Sequence, residues 1–421
     1  VTPPVQARYD VIVVGAGLAG LLAGAFAARR GARTLVIARG LGGTHLGPGT
    51  IDVWGYAPAA SADTPRALAP NPSAALDALT DPLHPLNVAG RPALAAALGE
   101  LQTMGSEAGY ALRGTLDHNY FLPTALGAVR PTCLAPDSMV AGDVRMPGEL
   151  VLADVPGFRD FYADLAAANL RAAGHAARAL PLELPRLPTQ REAFATDLAR
   201  LLDQPAYRAE VAERWRPHLT GVTRLGLPAI LGLAHPEAAW RELSERLGVA
   251  LFELPLPPPS VPGMRLFDVV RGALERAGGR LIVGPLVRGW ADEPGTAHGI
   301  LSETSGHTRA YAAQHVILAT GGFRHGGLES PAPGQVREAV FNLPVTTGLE
   351  WFAPLYWQPH PYARFGLSVD QALHPLGVDG VAWTNVQAVG GLLAGADRNG
   401  EGCREGIDLA TAYRAVQALE L

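Results

Sequence analysis

The sequence predicts an α/β protein: a doubly wound parallel sheet of the Rossmann, dinucleotide-binding type, with a second unit inserted into it. Three observations carry this. Residues 9–14 (YDVIVV) run into Gly15-Ala16-Gly17-Leu18-Ala19-Gly20 and then into an Ala/Leu-rich stretch that reaches Arg30. Far downstream, 316–322 (VILATGG) is again an apolar run that ends in a glycine turn. Residues 385–391 (NVQAVGG), followed by Gly395, Gly402 and Gly406, form a third before a C-terminal helical segment. An apolar strand, a glycine turn and a helix in succession make the βα unit whose helix N-terminus takes a phosphate.

The elements follow in order. The strand at 9–14 and the helix to about Arg30 are closed by Gly31, and 34–38 (TLVIA) reads as a second, parallel strand. Residues 57–72 form a Pro/Ala-rich loop, and 73–121 are helical in part. Strong helical periodicity marks 191–218, and 239–247 is a short amphipathic helix. Five prolines within 254–263 (LPLPPPSVPG) predict a rigid connector that is neither helix nor central strand. A helix over 264–278 ends at Gly278-Gly279, and a strand at 281–283 leads into a hairpin that runs to about Tyr311. A buried strand at 316–319, an irregular Pro- and aromatic-rich stretch at 331–365, a strand at 386–389 and a helix from Gly406 complete the chain. The nucleotide-binding unit is therefore expected to be discontinuous, at 1–56, 262–330 and 366–421. Residues 57–261 and 331–365 are expected to form the cap.

Composition narrows the chemistry. With 421 residues, 48% apolar and 17% charged, the chain is no disordered tail, and with 7% aromatics its core must be largely Ala, Leu and Val. A net charge of −5 without any basic block excludes nucleic acid as a partner. There is no lysine, which excludes a lysine Schiff base and a P-loop lysine. Cys133 and Cys403 are the two cysteines, too few and too far apart for a C-x-x-C pair or an iron–sulfur cluster, and they point to a reducing compartment. Residues 11–28 form an uncharged run of membrane-spanning length, but Gly15, Gly17, Gly20 and Gly24 divide it into strand, turn and helix. Neither a span nor a signal peptide is expected.

The glycines have separable roles. Gly15 permits the turn out of the strand, Gly17 lets a pyrophosphate approach the backbone, and Gly20 lets helix and strand pack. An acid that would bind the adenosine ribose is expected at the end of the second strand, but the chain has Ala38-Arg39 there. Arg39 is a candidate for a 2′-phosphate or simply a solvated strand end, and both FMN and FAD stay open. Residues 316–322, with Thr320 and Gly321, resemble the short flavoprotein segment that brings the chain back beside the nucleotide. Gly390, Gly391, Gly402 and Gly406, before a helix, resemble the C-terminal flavin motif, whose helix N-terminus lies near the N1/C2=O edge of the ring and stabilises the anionic reduced form. In the loop His45-Leu46-Gly47-Pro48-Gly49-Thr50, Gly49 allows close approach and Thr50 can hydrogen-bond a ring edge. His45 is the candidate catalytic group, a proton donor to a reduced flavin. His118, His325 and Arg324 rank below it. Arg130, Arg324 and Arg364 are candidates for binding a phosphate monoester. No residue spacing suggests a metal site.

These motifs, together with HLGPGTIDVWG (45–55), NYFLPTALGAVRPTCLAP (119–136), LPAILGL (227–233) and PPSVPGMRLFDVVRGALERAGGRL (258–281), resemble the B-subunit of anaerobic glycerol-3-phosphate dehydrogenase over nearly the whole chain. The resemblance implies a flavoprotein, usually with FMN, whereas the motif set alone reads as FAD. It also implies two partners, a catalytic flavin subunit and an iron–sulfur subunit that anchors the complex to the membrane. Together they would oxidise glycerol 3-phosphate to dihydroxyacetone phosphate and reduce quinone. The chain itself would be cytoplasmic and reach the inner face of the membrane only through the complex. Residues 341–365 are the candidate docking surface. Two other readings remain: a non-catalytic interaction subunit that keeps the flavin fold, and a free-standing FAD-dependent dehydrogenase of the fumarate-reductase or ketosteroid type.

Overall fold

Strand β1 (Val5–Val14) leads through the first glycine turn into α1 (Leu18–Arg29) in the computed structural model, which describes residues 4–57, 66–185, 193–293, 295–304, 306–332, 334–356 and 358–421. Residues 11–14 are buried on both faces, as an unbroken apolar run requires of a central parallel strand. Gly31, at φ +89°, turns the chain after α1. β2 (Thr34–Ala38) then lies parallel to β1, with Val11 opposite Thr34 and Val14 opposite Ile37. Helix α2 (Arg91–Glu107) adds Leu94, Ala97, Leu101 and Met104 to the same core.

A second sheet follows. It is made of β3 (Leu150–Asp154), β4 (Ala177–Pro181) after α3 (Ala163–Ala172), and then, beyond α4 (Ala195–Leu202) and α5 (Pro205–Trp215), β5 (Arg224–Pro228), α6 (Pro236–Leu247) and β6 (Ala250–Leu254). The strand order is β6-β5-β3-β4, and every pairing is parallel. Its core, with Leu152, Tyr207, Trp215, Leu225 and Phe252, is distinct from the first.

The chain returns to the first sheet with α7 (Val261–Arg276), β7 (Arg280–Val283), β8 (Leu286–Trp290), β9 (Gly299–Thr304), β10 (His307–Leu318), β11 (Val386–Ala388) and α8 (Arg404–Gln417). The order is β7-β2-β1-β10-β9-β8, and β11 pairs with the C-terminal end of β10. The partners of β1 are thus β2 on one side and β10 on the other, which opens a crevice at the carboxyl ends of β1 and β10.

One buried ion pair bolts the two cores together. Arg265 of α7 donates to Glu253 of β6 at 2.6 Å and to the carbonyl of Gly232 at 2.8 Å, and the two side chains are 1% and 0% exposed. Ser138 Oγ donates to the same carboxylate at 2.7 Å, and the Leu231 N–H does so at 2.8 Å.

Several expectations change. The second parallel sheet was not anticipated. β1 begins four residues before Tyr9, and the strand expected at 316–319 is the end of the long β10. The proline-rich connector does not run to Gly263, because α7 starts at Val261. Ser260 caps Gly263 N–H, and Pro262 sits in the first turn, where its missing N–H costs nothing. Residues 58–65 of the expected loop and 191–192 of the expected helical stretch lie outside the described residues. Among the described residues, no helix is long and apolar enough to cross a membrane.

Candidate functional site

The three glycines of the first turn divide their labour. A Cβ on Gly15, at φ +120°, would overlap the carbonyl of Ala319, and one on Gly20 would overlap the carbonyl of Gly15. These two let β1, β10 and α1 close on one another. Gly17, the N-cap of α1, faces space that no described residue fills within 4 Å of its Cβ direction. α1 has neither a side-chain cap nor an acid in its first turn, so its N–H groups and positive end point into the crevice.

The loop after β2 folds over this end. Arg39 is exposed beyond the strand, and Gly42, at φ +72°, rests on Gly17. His45 lies edge-on to Phe267, with ring centroids 6.4 Å apart. Gly49, at φ +76°, packs on Pro262. On the far side, Gly321, at φ +74°, turns beneath His325, Gly390, at φ +68°, meets Ala19 and Asp408, and Gly391 lies under the guanidinium of Arg398. Gly402 and Gly406 are set deeper. They pack against Gly55 and Val53 and so seat α8 on the 52–56 segment.

Five residues around this crevice carry buried heteroatoms that no described residue partners: Thr44 Oγ1, His45 Nδ1, Thr50 Oγ1, Thr320 Oγ1 and Arg398 Nε. Such atoms are costly unless a ligand or water meets them. The N-terminus of α8 has no side-chain cap either.

Beside α8 runs an alternating charge network that sequence reasoning missed. Arg130 pairs with Asp52, Arg404 with Glu405 at 2.9 Å, and Arg398 with Asp408 at 2.5 Å, while the Asp52 N–H reaches Glu405 at 3.4 Å. Burial pushes the Asp52 carboxyl up against the pull of Arg130. Burial acts the same way on Glu405, but Arg404 and Arg130 outweigh it and hold that carboxyl below its usual range. Asp408 is pushed up to about 6 by burial, in spite of Arg398. Of the arginines proposed for phosphate, Arg130 is therefore committed to Asp52, and Arg364 is committed to Glu401 at 2.5 Å and to the carbonyl of Gly395. Arg324 is exposed, and so is His118, which packs on Tyr120. The sequence signal for Arg398 and Arg404 was their place flanking Gly402.

The fold also gathers His84, Glu401 and Cys403, all buried, with possible ligand atoms within 4.8 Å of one another. Their separation in sequence hid this group. Hydrogen bonds already occupy it: His84 Nε2 meets Glu401 at 3.1 Å, His84 Nδ1 accepts from Leu86 N–H, and Arg364 holds the other carboxylate oxygen.

The FAD binding domain family matches residues 10–407. The B-subunit of anaerobic glycerol-3-phosphate dehydrogenase from Pectobacterium carotovorum subsp. carotovorum is 32% identical over 429 residues, covering 98% of both chains. The probable B-subunit from Halobacterium salinarum is 32% identical over 422 residues, covering 96% of both. Among solved structures, 3-ketosteroid Δ1-dehydrogenase from Sterolibacterium denitrificans is similar at a TM-score of 0.47 and 12% identity, covering 98% of this chain and 99% of that one. Of the two flavins left open at Ala38-Arg39, FAD is the cofactor. The residues present fit it: an open Gly17 at an uncapped helix end for the phosphates, and unpartnered Thr44, Thr50 and Thr320 hydroxyls along the same crevice.

Proposed function

The chain belongs to the B-subunit family of anaerobic glycerol-3-phosphate dehydrogenases and is a flavin-dependent oxidoreductase, and from that premise we propose that it is the electron-transferring flavoprotein subunit of a glycerol-3-phosphate:quinone oxidoreductase. The observation that carries this reading is the similarity to the Pectobacterium B-subunit along 98% of both chains, joined to a crevice whose open Gly17 and orphaned hydroxyls suit a flavin dinucleotide. FAD, when bound, supplies the two-electron acceptor. Around it, Gly17 and the N–H groups of α1 hold phosphate. Thr50 and Thr320 orient the cofactor with Gly321, Gly390 and Gly391, and His45 holds the proton exchanged at the ring edge.

Substrate oxidation is assigned to a catalytic flavin subunit, and onward transfer to an iron–sulfur subunit at the inner membrane face. Cys133 and Cys403 are both buried, and burial raises both thiols, which supports leaving the clusters to a partner. Residues 341–365 are the docking surface. Trp351 and Tyr362 pack on Phe323 at 6.2 and 6.4 Å, next to the Gly321-Gly322 turn, while Phe352 and Leu349 stand out into solvent at 69% and 104% exposure. The unit built on the second sheet serves as the cap.

The test is a steady-state assay of the purified chain with an artificial electron acceptor. Bound flavin with little or no glycerol 3-phosphate turnover is expected, with turnover restored by the partner subunits. Robust turnover by the lone chain would promote it to the catalytic subunit.

A further inference from the structure

Two turns that are remote in sequence, the 43–47 turn and the one at Gly391, present bare glycines to cationic or imidazole side chains in the same crevice. A Cβ on Gly43 would stand 3.0 Å from His325 Nε2, one on Gly47 would stand 4.0 Å from Arg404 Nη2, and one on Gly391 would collide with Arg398 Nη1. Arg398 is tied to the start of α8 by a hydrogen bond from Nη2 to the carbonyl of Arg404 at 2.6 Å. Its Nε and the hydroxyl of Thr44, which lies between Gly43 and Gly47 in the chain, are buried and find no partner among the described residues. Asp408 takes Arg398 Nη2 at 2.5 Å and Glu405 takes Arg404 Nη2 at 2.9 Å, so the groups left to meet an anion are Arg398 Nε, the Thr44 hydroxyl and the His325 imidazole, with the two guanidinium groups beside them. In a chain without lysine, planar guanidinium forks are the means of binding a phosphate.

We propose that Thr44, His325, Arg398 and Arg404 form a phosphate-binding site. The phosphate belongs either to the flavin cofactor or to glycerol 3-phosphate; the first rests on the flavin role proposed above, and the second would give this subunit a substrate contact of its own, without requiring turnover by the lone chain. The electrostatics agree. Partial desolvation and the positive charges of Arg398, Arg324 and Arg404 hold the His325 imidazole below its ordinary range. Desolvation is the larger cause and favours no anion; the smaller part, due to the three guanidinium charges, is a field that also attracts one. Arg398 and Arg404 have carboxylate partners in Asp408 and Glu405, as Arg130 and Arg364 have in Asp52 and Glu401; what sets this site apart is that Arg398 Nε and the Thr44 hydroxyl are buried without a partner among the described residues.

The experiment uses the full chain loaded with FAD. Binding of inorganic phosphate and of glycerol 3-phosphate is measured by titration calorimetry, and flavin content by the absorbance released on denaturation. The wild type is compared with Thr44→Val, which removes a buried hydroxyl, and His325→Ala, at the exposed rim, with circular dichroism reporting their folding. Loss of one charge-assisted hydrogen bond is expected to weaken phosphate binding about tenfold. If flavin content holds and glycerol 3-phosphate binding falls, the site holds the substrate phosphate. If flavin content falls and glycerol 3-phosphate binding is unchanged, it holds the cofactor phosphate. If both variants match the wild type in both measurements, the site is refuted, even where glycerol 3-phosphate still reduces the flavin. If the wild type binds inorganic phosphate through Thr44 and His325 but glycerol 3-phosphate no more tightly, the site stands and the substrate reading falls.

Discussion

The ion pair between Arg265 and Glu253 should dominate the coupling between the two cores. Replacing Arg265 with Met removes two hydrogen bonds to Glu253 and one to Gly232, all within a region that side-chain exposures of 1% and 0% mark as dry. Among the described residues, the Glu253 carboxylate then keeps Ser138 Oγ and the Leu231 N–H. Breaking one partner of a buried pair costs about 3–5 kcal/mol, because the surviving charge is left uncompensated. Much of that cost reflects the stranded charge and not the worth of the bridge, so Glu253→Gln combined with Arg265→Met should cost clearly less than the two single changes added together. Residues in direct contact show coupling of about 0.5–3 kcal/mol in such cycles, and the upper end is expected here. Urea unfolding followed by tryptophan fluorescence, with limited proteolysis of the 150–254 unit, measures all four proteins. Single variants that each cost under about 1 kcal/mol, with additive double-variant losses, would refute the reasoning.

Further outcomes follow from other residues. Gly17→Val should keep the fold and lose the flavin, since its side chain enters open crevice. Gly20→Ala should lose about 1–3 kcal/mol of stability because its Cβ meets the Gly15 carbonyl; flavin content and urea midpoints separate the two. Glu338 is buried and raised to about 7 by desolvation, despite the N–H groups of Val340 and Phe341. The folded state therefore holds a proton that the unfolded chain has released. The stability this adds is complete below about pH 4.5 and is lost as the pH rises through 7, by up to about 3 kcal/mol. Glu338→Gln should flatten that slope in urea titrations run between pH 4.5 and 7.5. Burial pushes the Cys133 thiol up to about 12 and leaves Cys133 and Cys403 inaccessible, so a disulfide-exchange reagent should label neither in the native protein and both in urea.

The flavin-binding unit was legible because its signals are local. Residues 34–38 form a strand with the bounds that their apolar run implies, and the Gly15–Gly20 spacing marks a strand–helix junction by itself. The second sheet was not legible. Its strands LVLAD, ARALP, RLGLP and ALFEL are five residues long, two of them end in proline, and none alternates long enough to stand out from loop. At the site, a glycine announces close approach but not what approaches. Gly17 opens to the crevice, whereas Gly402 and Gly406 receive the chain's own 53–56 segment. His325 was among the lower-ranked candidates, whereas Arg398 and Arg404 gave little warning, because in a lysine-free chain arginine is every positive charge and only folding separates arginines beside the crevice from those on the surface.

The position of β10 between β1 and β9 sets the order in which the nascent chain can assemble. β1 leaves the ribosome about 300 residues ahead of its second neighbour, ending at Leu318, which emerges only after the entire 150–254 sheet has been made. At about 5–20 residues per second, that interval is roughly 15–60 seconds. Throughout it, one edge of β1, with Val11, Ile12, Val13 and Val14, stays unpaired and apolar, while the inserted unit can already close on its own core. The vulnerable species during biosynthesis is thus a chain with a finished insertion and an open N-terminal strand, and this is the form a holdase chaperone would be expected to retain.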